Sequence, residues 1–270
     1  MVTVLRPLST SELLDRTFHV YRNNFLLFVG IMAVPQLIVL VLQLMRAVTL
    51  TGRPVERFDP LAIVAGVCSY IAIQISAAAT VMAVSNIHLD RPVSIGVAFS
   101  SARSSTLRVA LITLAIGIAA GIGLTFLIIP GIYLWLMWSL AIPITVLEGG
   151  GLNSSTTRSK VLTRGSRWRI FVIYVLFIVL AIIVGMIFQM PLGVLAVLLG
   201  RGNAQAAIAL ITAVSAVGNF ISTSLVGPLA IIALTLIYYD QRVRKEGFDL
   251  QLMMATLQST PQAAQTAPAS

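Results

Sequence analysis

Six charge-free apolar runs, most of them long enough to cross a lipid bilayer, constrain this chain more than any other feature. They cover residues 25–45, 61–89, 109–129, 132–147, 170–199 and 206–239. A spanning helix needs about 20 largely apolar residues, and only helices and closed barrels pair their backbone groups where water is absent. Composition agrees, with 58% hydrophobic and only 10% charged residues, where a soluble domain has roughly 25% charged. The expectation is an all-α polytopic membrane bundle of about six transmembrane helices. Residues 1–257 read as one six-helix membrane domain with an N-terminal interfacial helix. Residues 258–270, rich in Gln, Ala, Ser, Thr and Pro, have too little apolar content to pack and are expected to be disordered.

Several boundaries follow from local chemistry. Pro130 and Gly131 predict a tight turn between the third and fourth spans. The sixth run covers 34 residues, or about 51 Å as a helix against a hydrocarbon core of about 30 Å. Pro191 and Gly227-Pro228 are the expected breaks or kinks, and residues 190–218 have room for a re-entrant piece. The first 23 residues mix Arg6, Glu12, Asp15, Arg16 and Arg22 with apolar side chains. That pattern does not match a signal peptide, so the first span is expected to be retained.

The formal net charge of +9 does not indicate a nucleic-acid partner, because the basic residues fall in short gaps between apolar runs and not on one solvated face. They do report orientation. All but four of the 18 Lys and Arg residues lie on one side, the exceptions being Arg46, Arg53, Arg57 and Arg201. Basic loops stay in the cytoplasm, so both termini are expected there. Cys68, the single cysteine, lies within an apolar run, which leaves no disulfide framework and reads as a small packing residue.

The chain also repeats itself. Three amphipathic or polar segments each reach an arginine, pass two small or polar residues and enter an apolar span: Arg22-Asn-Asn-Phe, Arg103-Ser-Ser-Thr and Arg164-Gly-Ser-Arg. This predicts three copies of an interfacial helix followed by a transmembrane hairpin. Ser9 and Glu12 have capping-box spacing in the first copy, with Leu14, Phe18, Tyr21 and Phe25 following at helical intervals. Ile95, Phe99, Ala102 and Thr106 form the stripe of the second, and Val161, Gly165 and Trp168 that of the third. Each hairpin returns on an acid: Asp90, Glu148 and Asp240. Arg22, Arg103 and Arg164 are therefore candidate structural ion-pair partners of Asp90, Glu148 and Asp240, gathered about an approximate threefold axis.

Five segments together resemble a known family. They are Leu13-Leu-Asp-Arg-Thr-Phe-His-Val-Tyr-Arg-Asn-Asn-Phe, Ile129-Pro-Gly-Ile-Tyr-Leu-Trp, Pro143 with Glu148-Gly, Arg164-Gly-Ser-Arg-Trp-Arg and Tyr238-Tyr-Asp-Gln-Arg-Val-Arg-Lys-Glu-Gly-Phe-Asp-Leu. They resemble the glycerophosphoryl diester phosphodiesterase membrane-domain family of bacterial proteins across nearly the whole chain. The pattern departs over residues 154–160, where that family has an alanine- and arginine-rich helix. Some relatives fuse this region to a soluble phosphodiesterase barrel, so the resemblance implies a membrane domain of the bacterial cytoplasmic membrane and not an enzyme.

No catalytic constellation appears. A metal-dependent phosphodiesterase needs converging histidines and carboxylates, whereas His19 and His88 sit at predicted membrane edges and all nine acids lie outside the spans. Phosphate-cradling glycine motifs are absent, and Gly149-Gly-Gly151 reads as a flexible exit from the fourth span. No cofactor is implied. Two functional readings remain. The leading one is a non-enzymatic membrane module whose basic cluster, Arg158, Lys160, Arg164, Arg167 and Arg169, meets anionic lipid headgroups or a membrane protein partner. The alternative is a small-molecule transporter or permease component, because Thr212, Ser215, Asn219 and Ser222 share one face of the sixth span and Gln36 and Gln43 lie two turns apart on the first. Gly117 and Gly121, with Ala72, Ser76 and Thr80, suggest close helix packing.

Overall fold

A computed structural model describes residues 9–50, 59–199 and 202–247. Among these residues there are nine helices and no strands. An interfacial helix, α1 (Thr10–Asn23), leads into the hairpin of α2 (Phe25–Leu50) and α3 (Pro60–His88). The second hairpin pairs α4 (Ile95–Phe126) with α5 (Ile128–Met137) and α6 (Ala141–Glu148). A second interfacial helix, α7 (Leu152–Thr163), precedes the hairpin of α8 (Arg167–Leu199) and α9 (Ala204–Glu246). The tail at 258–270, and the loop containing Pro54, Arg53 and Arg57, lie outside the described residues.

Local sequence explains the helix starts. Ser9 closes a capping box at α1: its amide donates to Glu12 Oε2 at 2.7 Å, and the Glu12 amide donates to Ser9 Oγ at 3.2 Å. Asp59 accepts the Ala62 amide at α3, with Pro60 pre-set for the first helical position. Asn24 and the Arg164-Gly165 pair, the glycine at φ +84°, detach α1 and α7 from the spans that follow. No such interruption separates Arg103 from Val109, so the second copy's interfacial segment runs unbroken into its span as α4.

The turn after the third span is not at Pro130-Gly131. The chain breaks at Leu127, and Pro130 lies in the first turn of α5, where amides have no helical acceptor in any case. Gly131 and Gly123 make the tight seam between α4 and α5. A Cβ on Gly131 would stand 2.5 Å from the Leu124 backbone. Gly117 and Gly121, by contrast, face open space. Helices α8 and α9 run continuously through Pro191 and Pro228, with no break and no re-entrant piece. At 43 residues α9 would reach about 64 Å, so it projects beyond the hydrocarbon.

The bundle is organised around α9, not around a threefold axis. Its best apolar window is 61% buried, whereas that of α8 is the most apolar and only 17% buried. In a bilayer the most apolar helix can face lipid, and it is α9 whose residues Ile232 to Tyr238 are consecutively buried among α1, α2, α3, α6, α7 and α8. Leu13, Phe28, Ile31, Leu162 and Ile170 complete that core. The outward rows of α8, such as Val172, Val179, Ile183 and Ile187, are the surface that lipid covers.

Candidate functional site

Two polar features stand at opposite ends of α9. At the end carrying the basic residues of the interfacial segments, three acids and six cations gather in one layer. Asp240, 1% exposed at its side chain, accepts from Arg169 at 2.7 Å and from Arg244, one turn on, at 3.0 Å. Arg169 also donates to the Ser9 carbonyl, which ties α8, α9 and the start of α1 together. Glu148 accepts from Arg158 at 3.1 Å and from the Tyr238 hydroxyl at 2.8 Å. Arg158 and Arg242 both reach Glu246, at 2.5 and 3.1 Å. Lys245 donates to the carbonyls of Val161, Leu162 and Arg164 at the end of α7, where cations satisfy the last carbonyls and the helix dipole. Arg108 closes α6 from the other side by donating to the Gly149 carbonyl at 2.6 Å.

The acids are thus paired, but with other arginines than the hairpin-entry set. Arg22, Arg103 and Arg164 are exposed, and among the described residues no ion pair joins them to Asp90, Glu148 or Asp240. Helical geometry gives the reason for the first two. Arg22 lies nine residues, half a revolution, from the buried Leu13, and Arg103 lies about 140° from the buried Ala98. Arg164 ends α7 and offers its carbonyl to Lys245. Asp90 is exposed in the turn after α3 at φ +52°. The basic cluster divides in the same way. Arg158 and Arg169 are engaged as above, Arg167 donates to the Tyr133 hydroxyl and lies over that ring, while Lys160 and Arg164 are exposed.

Beneath this layer, α7 has a polar face that its sequence did not single out. Between α5 and α6 the fourth span is interrupted at 138–140, which frees backbone groups inside the protein. Ser159 Oγ accepts the Leu140 amide at 3.2 Å and donates to the Met137 carbonyl at 2.9 Å, and Thr163 donates to the same carbonyl. One turn earlier Ser155 accepts from Thr145. All four side chains are fully buried. The stripe at 155, 159 and 163 replaces the expected Val161, Gly165 and Trp168 stripe; Val161 and Trp168 point outward.

At the other end α2 and α9 diverge and leave a cavity of about 410 Å³. Gln36 and Gln43 of α2, and Thr212, Ser215 and Asn219 of α9, line it, together with Gln189 of α8. Gln36 is 4% exposed. Arg46 stands at the rim and donates to Asp59 at 2.6 Å. That hydrogen bond, and then the Ala62 amide, hold the Asp59 carboxyl below the usual carboxylate range. Gln189 was missed in the sequence, where it is a lone amide within a 30-residue apolar run. It sits over Gly218, where a Cβ would come within 2.5 Å of its Cγ, so the glycine fixes the amide at the cavity wall. Ser222 faces instead toward α8, donating weakly to the Ala181 carbonyl at 3.5 Å. Along the same seam, below Gln189 and Asn219, an open apolar groove of about 880 Å³ separates α8 from α9.

His19 pairs with Asn23, His88 stacks on Tyr239 at 5.0 Å, and no three metal-ligating side chains converge among the described residues. The family described as the membrane domain of glycerophosphoryl diester phosphodiesterase matches residues 108–265, more than half of the chain. This chain belongs to that family. The match is to the membrane domain and not to the catalytic domain of those enzymes, and it runs from Arg108 within α4 through the third hairpin, taking in the charged layer from Glu148 to Glu246. No curated protein and no solved structure matches the chain.

Proposed function

We propose that this membrane domain is a non-enzymatic module of the bacterial cytoplasmic membrane, both termini cytoplasmic, that admits a small polar or amphiphilic molecule into the cavity between α2, α8 and α9. One observation carries the reading. The polar faces of α2 and α9 line an open cavity of about 410 Å³, with Gln36 and Gln43 on one wall and Thr212, Ser215 and Asn219 on the other. Polar side chains used only to join helices find partners across the interface, whereas these five line open space. The permease-type reading is therefore favoured over the basic-face reading, because three of the five clustered cations, Arg158, Arg167 and Arg169, are already engaged within the protein.

The test is solvent access. In a Cys68→Ala background reconstituted in bilayers, cysteines at Ser215 and Asn219 are expected to react rapidly with a charged thiol reagent. One at Ile183, on the outward row of α8, is expected to stay unreactive. Equal protection of all three would overturn the reading.

A narrower form of the basic-face reading keeps one supporting observation. Trp168 is 75% exposed and stacked on Phe171, next to the exposed Arg164 and Lys160, as an aromatic and basic anchor at a headgroup layer would be. Charge reversal of Lys160 and Arg164 together is expected to weaken binding of the purified protein to anionic over neutral bilayers; an unchanged preference removes it.

A further inference from the structure

The polar cavity and the apolar groove are not separate. Gln189 and Asn219 line both, so a polar chamber and an apolar trench meet at one pair of carboxamides. The trench follows α8 from Tyr174 to Met190, about 24 Å at about 1.5 Å per residue, more than the roughly 15 Å depth of one leaflet. Its walls are Phe177, Ile178, Ile182 and Val226, with Trp135 and Tyr174 closing the far end at a ring separation of 4.2 Å. The geometry points to a membrane lipid as the occupant of both: its acyl chain along the α8–α9 groove and its headgroup among Gln36, Gln43, Gln189, Ser215 and Asn219.

This inference rests on the cavity being a ligand site, and the lining chemistry narrows the headgroup. Each carboxamide offers two donors and an acceptor, and each hydroxyl offers both roles. That set complements hydroxyl groups, which also donate and accept. A phosphate or carboxylate would call for an unneutralised cation, and among the described lining residues the only cation, Arg46, is held by Asp59. The headgroup is therefore a polyol, glycerol or sugar type presenting uncharged hydroxyls. Gln36 and Gln43 are the α2 residues on the wall that such a headgroup would meet. Gly218 contributes by letting Gln189 lie flat at the junction, where chain and headgroup would part.

Purified full-length protein, delipidated in detergent, would be titrated in native mass spectrometry with a monoglucosyl diacylglycerol and, separately, with phosphatidylcholine of the same chains. Preferential retention of the glucolipid is expected. Gln36→Leu replaces a cavity-wall carboxamide with an apolar side chain of similar size, and Ile178→Trp fills a site 47% exposed on the groove wall. Each is expected to weaken glucolipid retention at least about tenfold, or about 1.4 kcal/mol, with unchanged thermal unfolding. Equal retention of both lipids, or glucolipid retention untouched by both variants, overturns the inference. If the cysteine at Asn219 nevertheless reacts with the charged reagent, only the lipid assignment fails and the solvated cavity stands; if it does not, the cavity reading fails as well.

Discussion

Asp240→Asn should be the most damaging single change in the charged layer, and its size can be worked from the structure. The carboxylate is 1% exposed and neutralises Arg169, itself only 15% exposed, and Arg244 at 38%. The Arg244 arm is an i,i+4 pair on a half-exposed surface, worth about 0.3–0.5 kcal/mol. The Arg169 arm is different, because removing its partner leaves a nearly buried cation that has surrendered its water. Breaking such pairs costs about 3–5 kcal/mol. Since Arg169 keeps its contact with the Ser9 carbonyl, the lower end applies, and about 3 kcal/mol is expected for Asp240→Asn. The assay is equilibrium unfolding in mixed micelles of increasing SDS fraction. Removing both charges should hurt less than removing one, so Arg169→Met combined with Asp240→Asn should recover about 2 kcal/mol of the loss. A loss below about 1 kcal/mol, or a double mutant equal to the sum of the singles, would refute the claim that this pair holds α8 to α9.

Three further outcomes follow. Ser159→Ala should orphan the Leu140 amide inside the protein and destabilise it by about 1–3 kcal/mol in the same assay, whereas Thr156→Ala, whose hydroxyl only bonds back within α7, should do almost nothing. Gly218→Val should displace Gln189 and slow thiol labelling at Asn219, read against an unchanged rate for Ser215→Cys. The Arg46 and Asp59 contact gives a pH dependence with a fixed sign. Because the folded carboxyl is held below its ordinary value of 3.8, the folded state binds fewer protons, so its contribution is complete at neutral pH and is lost as pH falls through the folded value. Acid unfolding of Arg46→Met should accordingly begin at higher pH than that of the parent, and coincident curves would discount the contact.

The sequence made some of this legible for clear physical reasons. A charge-free run of about 20 residues has few alternatives to a spanning helix, which is why all six spans appear where the apolar runs are. The polar face at Thr212, Ser215 and Asn219 was likewise readable from helical spacing, and so was its company with Gln36 and Gln43. Boundaries were harder. Pro130 is compatible with both a turn and the first turn of a helix, and the contact of Gly131 with Leu124 decided between them. Pairing within the charged layer was harder still, because the turn at Gly165 rotates Arg169 inward and Arg164 outward, and no periodicity crosses such a turn. Ser155, Ser159 and Thr163 looked like an undistinguished polar stretch, and their role exists only because the fourth span breaks at 138–140 and presents Met137 and Leu140 to them. Gln189 could be seen as the lone amide of its run but not placed, since Gly218 on another helix seats it.

Sidedness and solvation of the cavity can be tested together by labelling intact cells with a membrane-impermeant thiol reagent in the Cys68→Ala background. A cysteine at Ser215 should label in intact cells, and one at Lys160, exposed on α7, only after the membrane is permeabilised. Labelling at Lys160 in intact cells, with Ser215 protected until permeabilisation, would contradict the account.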